Sequence, residues 1–351
     1  MSAPHLWVRA EPRANETRVG VMPAGVARLM QAGFAVTVED PPDRVVPTAD
    51  YAATGCAIAP AGSWPDAPSE AIIFGLKELP EDGSALRHRH IMFGHAFKGQ
   101  ASGKVLLERF RRGGGRLLDL EYLTDDTGRR VAAFGYWAGF AGAAVSLMCW
   151  AAQQEGKTAG PVAPYADAEA LKAALAAWLG PSSARPEALI IGAKGRVGSG
   201  AADLCRAMAV PVTAWDMAET AHGGPFPEIL AHGVFLNCIL AGPQTPVFVP
   251  RDAPGEARAL RVIGDIACDP DSPFNPVPVY NRATTWDAPA LRVHDDPPLD
   301  VMAIDNLPSM LPLESSEDFA AQLLPTLLAL DGDPEGVWAR ADRLFAEHAG
   351  G

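Results

Sequence analysis

Short apolar runs bounded by glycine, proline or aspartate recur near the start of the chain. They cover residues 6–9, 34–39, 56–59 and 71–76, and a helical pattern over residues 23–32 separates the first two. Strands that alternate with helices are typical of a parallel, doubly wound sheet. The first part of the chain is therefore predicted to form an α/β unit.

The same alternation returns at residue 188. Its apolar runs cover residues 188–191, 211–216, 234–238 and 262–266. The chain has 351 residues, whereas single hydrophobic cores stop growing at about 250–300 residues. We therefore expect an α/β protein with two Rossmann-like, doubly wound parallel-sheet domains and a cleft between them.

Residues 131–152 carry no charge, and about 20 apolar residues suffice to cross a bilayer. Many of them are glycine and alanine, which makes the stretch weakly hydrophobic, so we predict a buried helix that packs closely against another element. Residues 156–186 are expected to form a surface excursion with one helix over 167–179. Apolar residues at helical spacing predict a helical tail over 312–348.

The formal net charge of −13 disfavours nucleic acid or an anionic membrane as a partner. The sequence has five cysteines without a C-x-x-C spacing, which indicates reduced thiols. The start of the chain lacks a basic region followed by an apolar run, so no export signal is expected. These features favour a cytosolic protein.

A glycine-rich turn follows the first apolar run of the second half and precedes a helical pattern. Gly192, Gly195 and Gly198 allow the backbone to bend tightly and to approach a pyrophosphate at the helix N-terminus. The next strand ends in Asp216, an acid well placed to bind ribose hydroxyls and to repel a 2′-phosphate. This order favours NAD over NADP, and a tight turn without a ligand is the alternative.

Two candidates for acid–base chemistry follow apolar runs in the first half. Lys77, with Glu78 beside it, comes directly after residues 71–76, and His95 follows an apolar triplet and a glycine. Carboxyl ends of parallel strands line the crevice where such sheets bind ligands. A partly desolvated lysine beside a carboxylate can have a pKa low enough for proton transfer. The alternatives are a solvated Lys–Glu pair and a structural histidine.

Three arginines are candidates for binding substrate carboxylates, which arginine grips with two hydrogen bonds. Arg18 precedes an apolar strand start, whereas Arg129 and Arg130 follow a predicted turn and precede the uncharged helix. Glu121 closes the strand before that turn. For each arginine a surface salt bridge is the alternative.

His88 and His90 form an H-x-H pattern, which can bind zinc. Two arginines adjoin them, and the neighbouring sequence offers no acidic or thiol ligand. Because a positive field disfavours a cation, no metal site is expected.

Several long strings run in the same order as in a known family. They are ETRVGVMP (16–23), PAGSW (60–64), GLKELPE (75–81), FGHAFKGQ (93–100), GRRVAAFGYWAGFAGAA (128–144), GRVGSGA (195–201), GGPFPEI (223–229), NPVPVY (275–280) and IDNLPSMLPLESSE (304–317). Together they resemble the lysine-forming saccharopine dehydrogenases, which are relatives of alanine dehydrogenase and of the transhydrogenase nucleotide-binding unit. The resemblance covers nearly the whole chain.

The resemblance implies oxidation of saccharopine by NAD⁺ to an imine, which water splits into lysine and 2-oxoglutarate. By position, Lys77 and His95 resemble the pair that exchanges protons, and Glu78 and Glu121 the acids that tune it. The residues counted as substrate ligands are Arg18, Lys98, Gln100, Arg129 and Arg130. Those counted as cofactor ligands are Gly192, Gly195, Arg196, Gly198, Asp216 and Asp305, the last beside the nicotinamide.

The expected division follows the same resemblance. Residues 1–130 and 310–351 are expected to form a discontinuous substrate domain, and residues 131–309 the NAD domain, in a monomer or a small homo-oligomer. Two positions depart from the family pattern: Val197 stands where some relatives have a cysteine facing Cys238, and Asn306 where relatives often have histidine. An alanine-type dehydrogenase with a smaller substrate is one alternative, and a protein that binds NAD without catalysis is another.

Overall fold

A computed structural model describes residues 4–13, 16–98, 101–181, 184–330 and 335–349. The chain divides into two compact units. Unit 1 is formed by residues within Met1–Ala133 and Ser315–Gly351, and unit 2 by residues within Phe134–Glu314. The first unit is therefore discontinuous in sequence, since the chain leaves it and returns for its last segment.

Unit 1 contains one sheet of six strands. In chain order they are β1 (His5–Val8), β2 (Ala35–Asp40), β3 (Ala57–Pro60), β4 (Ile72–Phe74), β5 (Arg89–Met92) and β6 (Arg116–Asp119). Their order across the sheet is β3-β2-β1-β4-β5-β6, with parallel pairings throughout. The helices α1 (Pro23–Gln31), α2 (Thr48–Ala52) and α3 (Ala101–Gly113) connect the strands.

The short strand β4 shows why this sheet forms. Ile72, Ile73 and Phe74 are at most 1% exposed, and a continuous buried run is typical of a parallel strand that is covered on both faces. The strand order reverses between β1 and β4, so the loops after these two strands diverge. In such sheets the carboxyl edge at that point is where ligands bind.

Unit 2 contains a second six-stranded sheet. Its strands are β7 (Ala188–Ile191), β8 (Val212–Trp215), β9 (Val234–Asn237), β10 (Val262–Asp265), β11 (Leu291–Asp295) and β12 (Pro298–Met302), in the order β11-β12-β10-β9-β7-β8. Only the edge strand β11 pairs antiparallel within the described residues. Its helices are α4 (Gly135–Gln154), α5 (Ala168–Leu179), α6 (Arg196–Ala207), α7 (Met217–Thr220) and α8 (Pro227–Ala231). The chain then continues into α9 (Pro312–Leu328) and α10 (Val337–Ala349).

The uncharged segment forms α4, and glycines set how closely it packs. A Cβ on Gly139 would lie 1.8 Å from the Val197 carbonyl oxygen, and one on Gly200 would lie 1.9 Å from that of Tyr136. The backbones of α4 and α6 therefore touch, which confirms the prediction of a closely packed buried helix. Within the described ranges, no helix has the length and hydropathy needed to span a membrane.

Three local predictions were wrong. Residues 19–22 form no strand, because the Val19 amide donates to Ser316 Oγ (2.9 Å) and not to a neighbouring strand. Glu121 lies in a short 3-10 helix, Leu120–Tyr122, which Asp119 caps at the end of β6. The segment 156–186 is more than a surface excursion, since α5 buries a complete apolar face. That face consists of Leu171, Leu175 and Leu179.

Candidate active site

The carboxyl edge of the unit 1 sheet gathers the candidate acid–base residues. Lys77 follows β4, His95 follows β5 and Glu121 follows β6. These three strands are neighbours and parallel, so their carboxyl ends share one edge. The rule that placed the candidates at strand ends thus predicted the edge on which they lie.

Lys77 is largely withdrawn from solvent. Burial, followed by the positive charge of Arg18, lowers the pKa of its ammonium, while the carboxylates of Glu16 and Glu78 act in the opposite direction. A lowered pKa increases the neutral fraction of the amine near neutral pH, and only the neutral form accepts a proton.

Arg18 is held by a carboxylate that the sequence patterns did not single out. Its Nε donates to Glu16 Oε1 (2.8 Å) and its Nη2 to Glu16 Oε2 (2.6 Å). The two side chains are 2% and 0% exposed. Burial acts to raise the pKa of Glu16, but the hydrogen bonds with Arg18 and its positive charge outweigh burial and lower that pKa, so Glu16 is a carboxylate beside the guanidinium.

His95 and Lys98 both contact the carboxylate of Glu121. Glu121 Oε2 lies 3.1 Å from His95 Nδ1, and Glu121 Oε1 accepts a hydrogen bond of 2.8 Å from Lys98 Nζ. The bond to Glu121 raises the pKa of His95. Reciprocally, the bond to His95 lowers the pKa of Glu121 to about 2. His95 also has φ +49°, a conformation rare for residues other than glycine.

Glu78 and Asp119 complete the surroundings of His95. The negative charge of Glu78 acts to raise the pKa of His95 and opposes the lowering of the Lys77 pKa, so this one carboxylate influences both candidate acid–base residues. Asp119 is 1% exposed, and burial raises its pKa to about 6. Its Oδ1 accepts from the Glu121 amide at 2.9 Å and so fixes the start of the short helix that carries Glu121.

The two arginines before α4 lie on an exposed hairpin. Arg129 and Arg130 are both exposed; Arg130 forms an antiparallel bridge with Thr124. The Arg340 guanidinium of α10 donates to the Thr124 carbonyl at 2.8 Å and pairs with Asp126 at 3.0 Å, which anchors this hairpin. Another predicted ligand, Gln100, lies outside the described residues.

In unit 2 the glycine turn joins β7 to α6. Gly192 has φ +86°, which favours glycine, and a Cβ on Gly198 would lie 2.1 Å from the Gly192 carbonyl oxygen. At Gly195, by contrast, the nearest atom to a Cβ would be that oxygen at 3.3 Å. Gly192 and Gly198 therefore close the turn, and a Cβ at Gly195 would also contact the Gly192 carbonyl oxygen tightly, just before Arg196, the first residue of α6.

Asp216 follows β8, the strand beside β7. Its Oδ2 accepts from the Lys194 amide (3.0 Å) and its Oδ1 from the Met217 amide (2.9 Å). The Asp216 amide in turn donates to Glu219 Oε2 (2.7 Å). The Asp216 carboxylate thus supports the glycine turn and caps α7. The same carboxylate is the predicted ligand of the ribose.

Asp305 and Asn306 follow β12. Asp305 is exposed and its negative charge acts on the Cys268 thiol, whose pKa is raised to about 12, first by burial. Asn306 Nδ2 donates to Ser309 Oγ at 2.8 Å. All five cysteines, including Cys238, are free thiols.

A buried polar network at the carboxyl edge of this sheet escaped the sequence analysis. Asp265, at the end of β10, accepts from Tyr280 Oη (2.7 Å) and from Asn237 Nδ2 (2.9 Å). Asp265 and Asn237 are at most 1% exposed. The sequence did contain a signal for this network, because Asn237 and Asp265 are polar residues at the ends of two apolar runs. Lys77 follows an apolar run in the same way in the first half.

The H-x-H pattern belongs to the core of unit 1. His88 Nε2 lies 3.2 Å from the Ala67 carbonyl oxygen. The His90 ring meets Trp64 and Phe110 edge-on at centroid distances of 5.1 and 5.3 Å, and burial holds its pKa well below the ordinary value. Over the described part of the chain, no group of three or more His, Cys, Asp or Glu residues is arranged to hold a metal ion.

Comparison with known proteins gives consistent relatives. The model of the alanine dehydrogenase/PNT N-terminal domain matches residues 7–141. The chain is 43% identical to saccharopine dehydrogenase (NAD(+), L-lysine-forming) of Schizosaccharomyces pombe over 98% of each chain. It is 45% identical to the protein of the same name from Neurospora crassa, over 97% of this chain and 95% of the relative. A solved L-alanine dehydrogenase shares the fold, with TM-score 0.66, 16% identity and coverage of 98% and 94%.

Proposed function

The chain belongs to the saccharopine dehydrogenases of the NAD(+)-dependent, L-lysine-forming type, and we propose that it oxidises saccharopine with NAD⁺ to L-lysine and 2-oxoglutarate. The observation that carries this proposal is identity of 43% or more along nearly the full length of such relatives. The likeness to L-alanine dehydrogenase, at 16% identity, extends to the fold alone. The alanine-type alternative is therefore not favoured.

Unit 2 is the proposed NAD domain. The glycine turn before α6 suits a pyrophosphate, since glycines let the backbone amides at the helix N-terminus come close to the ligand. Asp216 is proposed to bind the ribose, with Arg196 and Asp305 as further cofactor ligands. NAD⁺, when bound, accepts a hydride from the substrate carbon.

Unit 1 is the proposed substrate domain, and Lys77 and His95 are its proposed acid–base residues. The substrate nitrogen must lose its proton before a C–N double bond forms, because an ammonium has no lone pair. The lowered pKa of Lys77 suits a group that accepts this proton. Water must next lose a proton to a base, and the departing lysine nitrogen must gain one; the raised pKa of His95 suits the second step.

Substrate binding requires fixed cations, since saccharopine has three carboxylates. We assign this role to Arg18, Lys98, Arg129 and Arg130, with Gln100 as a polar ligand. The orientation of Arg18 is set by the two hydrogen bonds that its guanidinium donates to Glu16. A pre-oriented guanidinium binds a carboxylate with less loss of side-chain entropy.

An absorbance assay tests the proposal. Purified protein is mixed with NADH, L-lysine and 2-oxoglutarate, and in parallel with NADH, pyruvate and ammonia. We expect NADH oxidation in the first mixture. Oxidation in the second mixture alone would contradict the proposal and identify an alanine-type enzyme, and NADH binding without turnover in either would identify a non-catalytic protein.

A cytosolic monomer is the proposed state of the protein. The scattered free cysteines support the compartment. Fractionation of cells and light scattering of the purified chain would test the two statements. Organelle enrichment or a molar mass twice that of one chain would overturn them.

A further inference from the structure

Two side chains that follow β1 hold the backbone of Lys77 from both sides. The Glu11 carboxylate accepts hydrogen bonds from the Leu76 amide (2.6 Å) and the Lys77 amide (2.9 Å). A guanidinium nitrogen of Arg9 donates to the Lys77 carbonyl oxygen. Hydrogen bonds to charged groups are about twice as strong as neutral ones, so this loop is fixed where β4 ends.

The clamp formed by Arg9 and Glu11 is itself shielded from water. Their side chains are 1% and 10% exposed and pair with each other, with 3.4 Å between Arg9 Nη1 and Glu11 Oε2. A Cβ on Gly75 would lie 2.3 Å from Arg9 Nε. Only glycine at this position lets the guanidinium lie across the chain and reach the carbonyl of Lys77.

A second buried carboxylate fixes the clamp. Glu39 is 0% exposed, and its Oε2 accepts from the Ala10 amide, between the two clamp residues, at 2.8 Å. Glu39 Oε2 also accepts from the Gly62 amide (2.8 Å), and Glu39 Oε1 accepts from the Trp64 amide (2.6 Å). The string PAGSW (60–64), which the proposed chemistry leaves unexplained, thereby acquires a role as part of this support.

We propose that Arg9 and Glu11 are positioning residues for Lys77, an inference that rests on the function proposed above. Glu11 binds backbone amides, whereas the charges acting on the Lys77 side chain come from Arg18, Glu16 and other neighbours. The clamp therefore sets where Lys77 lies and not how basic it is. Misplacement of a reacting group by about 1 Å can cost about 100-fold in rate.

A double-mutant cycle on the full-length enzyme tests the inference. Glu11→Gln keeps the shape but presents an NH₂ to one of the two amides, and we expect kcat to fall about 100-fold with the pH limits of the profile unmoved. In a Lys77→Met background the same change should alter kcat less than twofold. An equal fall in both backgrounds would mean a general structural role and would overturn the inference.

Glu11→Asp serves if Glu11→Gln does not fold, since a shorter carboxylate cannot reach both amides. The control is Glu70→Gln, an exposed site expected to leave kcat unchanged. Hydrogen exchange of the Leu76 and Lys77 amides, measured without substrate, should accelerate about tenfold in the Glu11 variants. Unchanged exchange overturns the clamp even in an active enzyme, whereas an inactive wild type with accelerated exchange in the variants overturns only the proposed function.

Discussion

Nδ1 of His95 lies 3.1 Å from Oε2 of Glu121, and this contact shifts the pKa values of the two side chains in opposite directions. The pKa of the imidazole is raised and that of the carboxyl is held at about 2. His95 therefore keeps its proton to higher pH than an isolated histidine. Lys98 shares the same carboxylate at 2.8 Å, so Glu121 connects two of the proposed site residues.

Glu121→Gln should lower the pKa of His95, because its largest stabilising partner for the protonated form is removed. NMR titration of the imidazole in the absence of substrate measures this directly. The exposed Glu347→Gln serves as the control. An imidazole pKa that stays the same in Glu121→Gln would show that the contact has no electrostatic effect.

The same substitution should change the acid sensitivity of folding. The wild-type carboxyl has a folded pKa of about 2 against an ordinary 4.5, so its stabilising contribution is complete above about 4.5 and is lost as pH falls toward 2. Glu121→Gln should lack this loss. Denaturant midpoints measured at several pH values would reveal it as a flatter dependence, and parallel curves would contradict the assignment.

Lys77→Met and His95→Gln should reduce turnover by about 10²–10⁴-fold, the usual contribution of general acid–base groups. Affinity for NADH should remain within about twofold, since both residues lie in unit 1 and the glycine turn lies in unit 2. Steady-state kinetics and fluorescence titration of NADH separate the two quantities. Normal turnover in both variants would remove them from the mechanism.

Asp216→Asn should weaken NADH binding about tenfold or more and reduce the preference over NADPH. The carboxylate supplies the negative charge that repels a 2′-phosphate and the acceptor for ribose hydroxyls. Binding of both cofactors is compared by fluorescence, with the exposed Asp252→Asn as control. Equal discrimination in the variant and the wild type would refute the assignment.

Gly200→Ala should destabilise unit 2 by about 1–3 kcal/mol, since its Cβ would lie 1.9 Å from a backbone oxygen of α4. Gly160→Ala is the matched control, because no atom lies within 4 Å of the added Cβ. Thermal unfolding should distinguish the two variants. A similar melting temperature for both would mean that the two helices separate at little cost.

Much of the fold follows from the sequence alone, for reasons visible in β4 and β7. A fully buried parallel strand is apolar at every position, so its run stands out against flanking glycine and proline. The same rule located Lys77 and His95, because a polar residue directly after such a run lies at the carboxyl edge. The rule failed for residues 19–22, which are largely apolar but form no strand, because the Val19 amide donates to the Ser316 side chain.

The supporting carboxylates could not be predicted in the same way. Glu39 reaches Trp64, and Glu11 reaches Lys77, across long separations in sequence and within irregular loops. Such contacts depend on the path of the loop and produce no periodic pattern in the sequence. Glu16 is close to Arg18 in sequence, but nothing in the pattern distinguishes a buried bidentate pair from two solvated charges.

The burial of Arg18 against Glu16 limits how this cation can act on a distant ligand. Its field is largely cancelled by its own counter-ion, and the chain as a whole carries −13. A multiply anionic molecule therefore gains little from this guanidinium during its approach and benefits only after direct contact. Binding of an anion to Arg18 therefore depends on direct contact. Added salt should weaken this binding far less than it weakens binding to an open cationic surface.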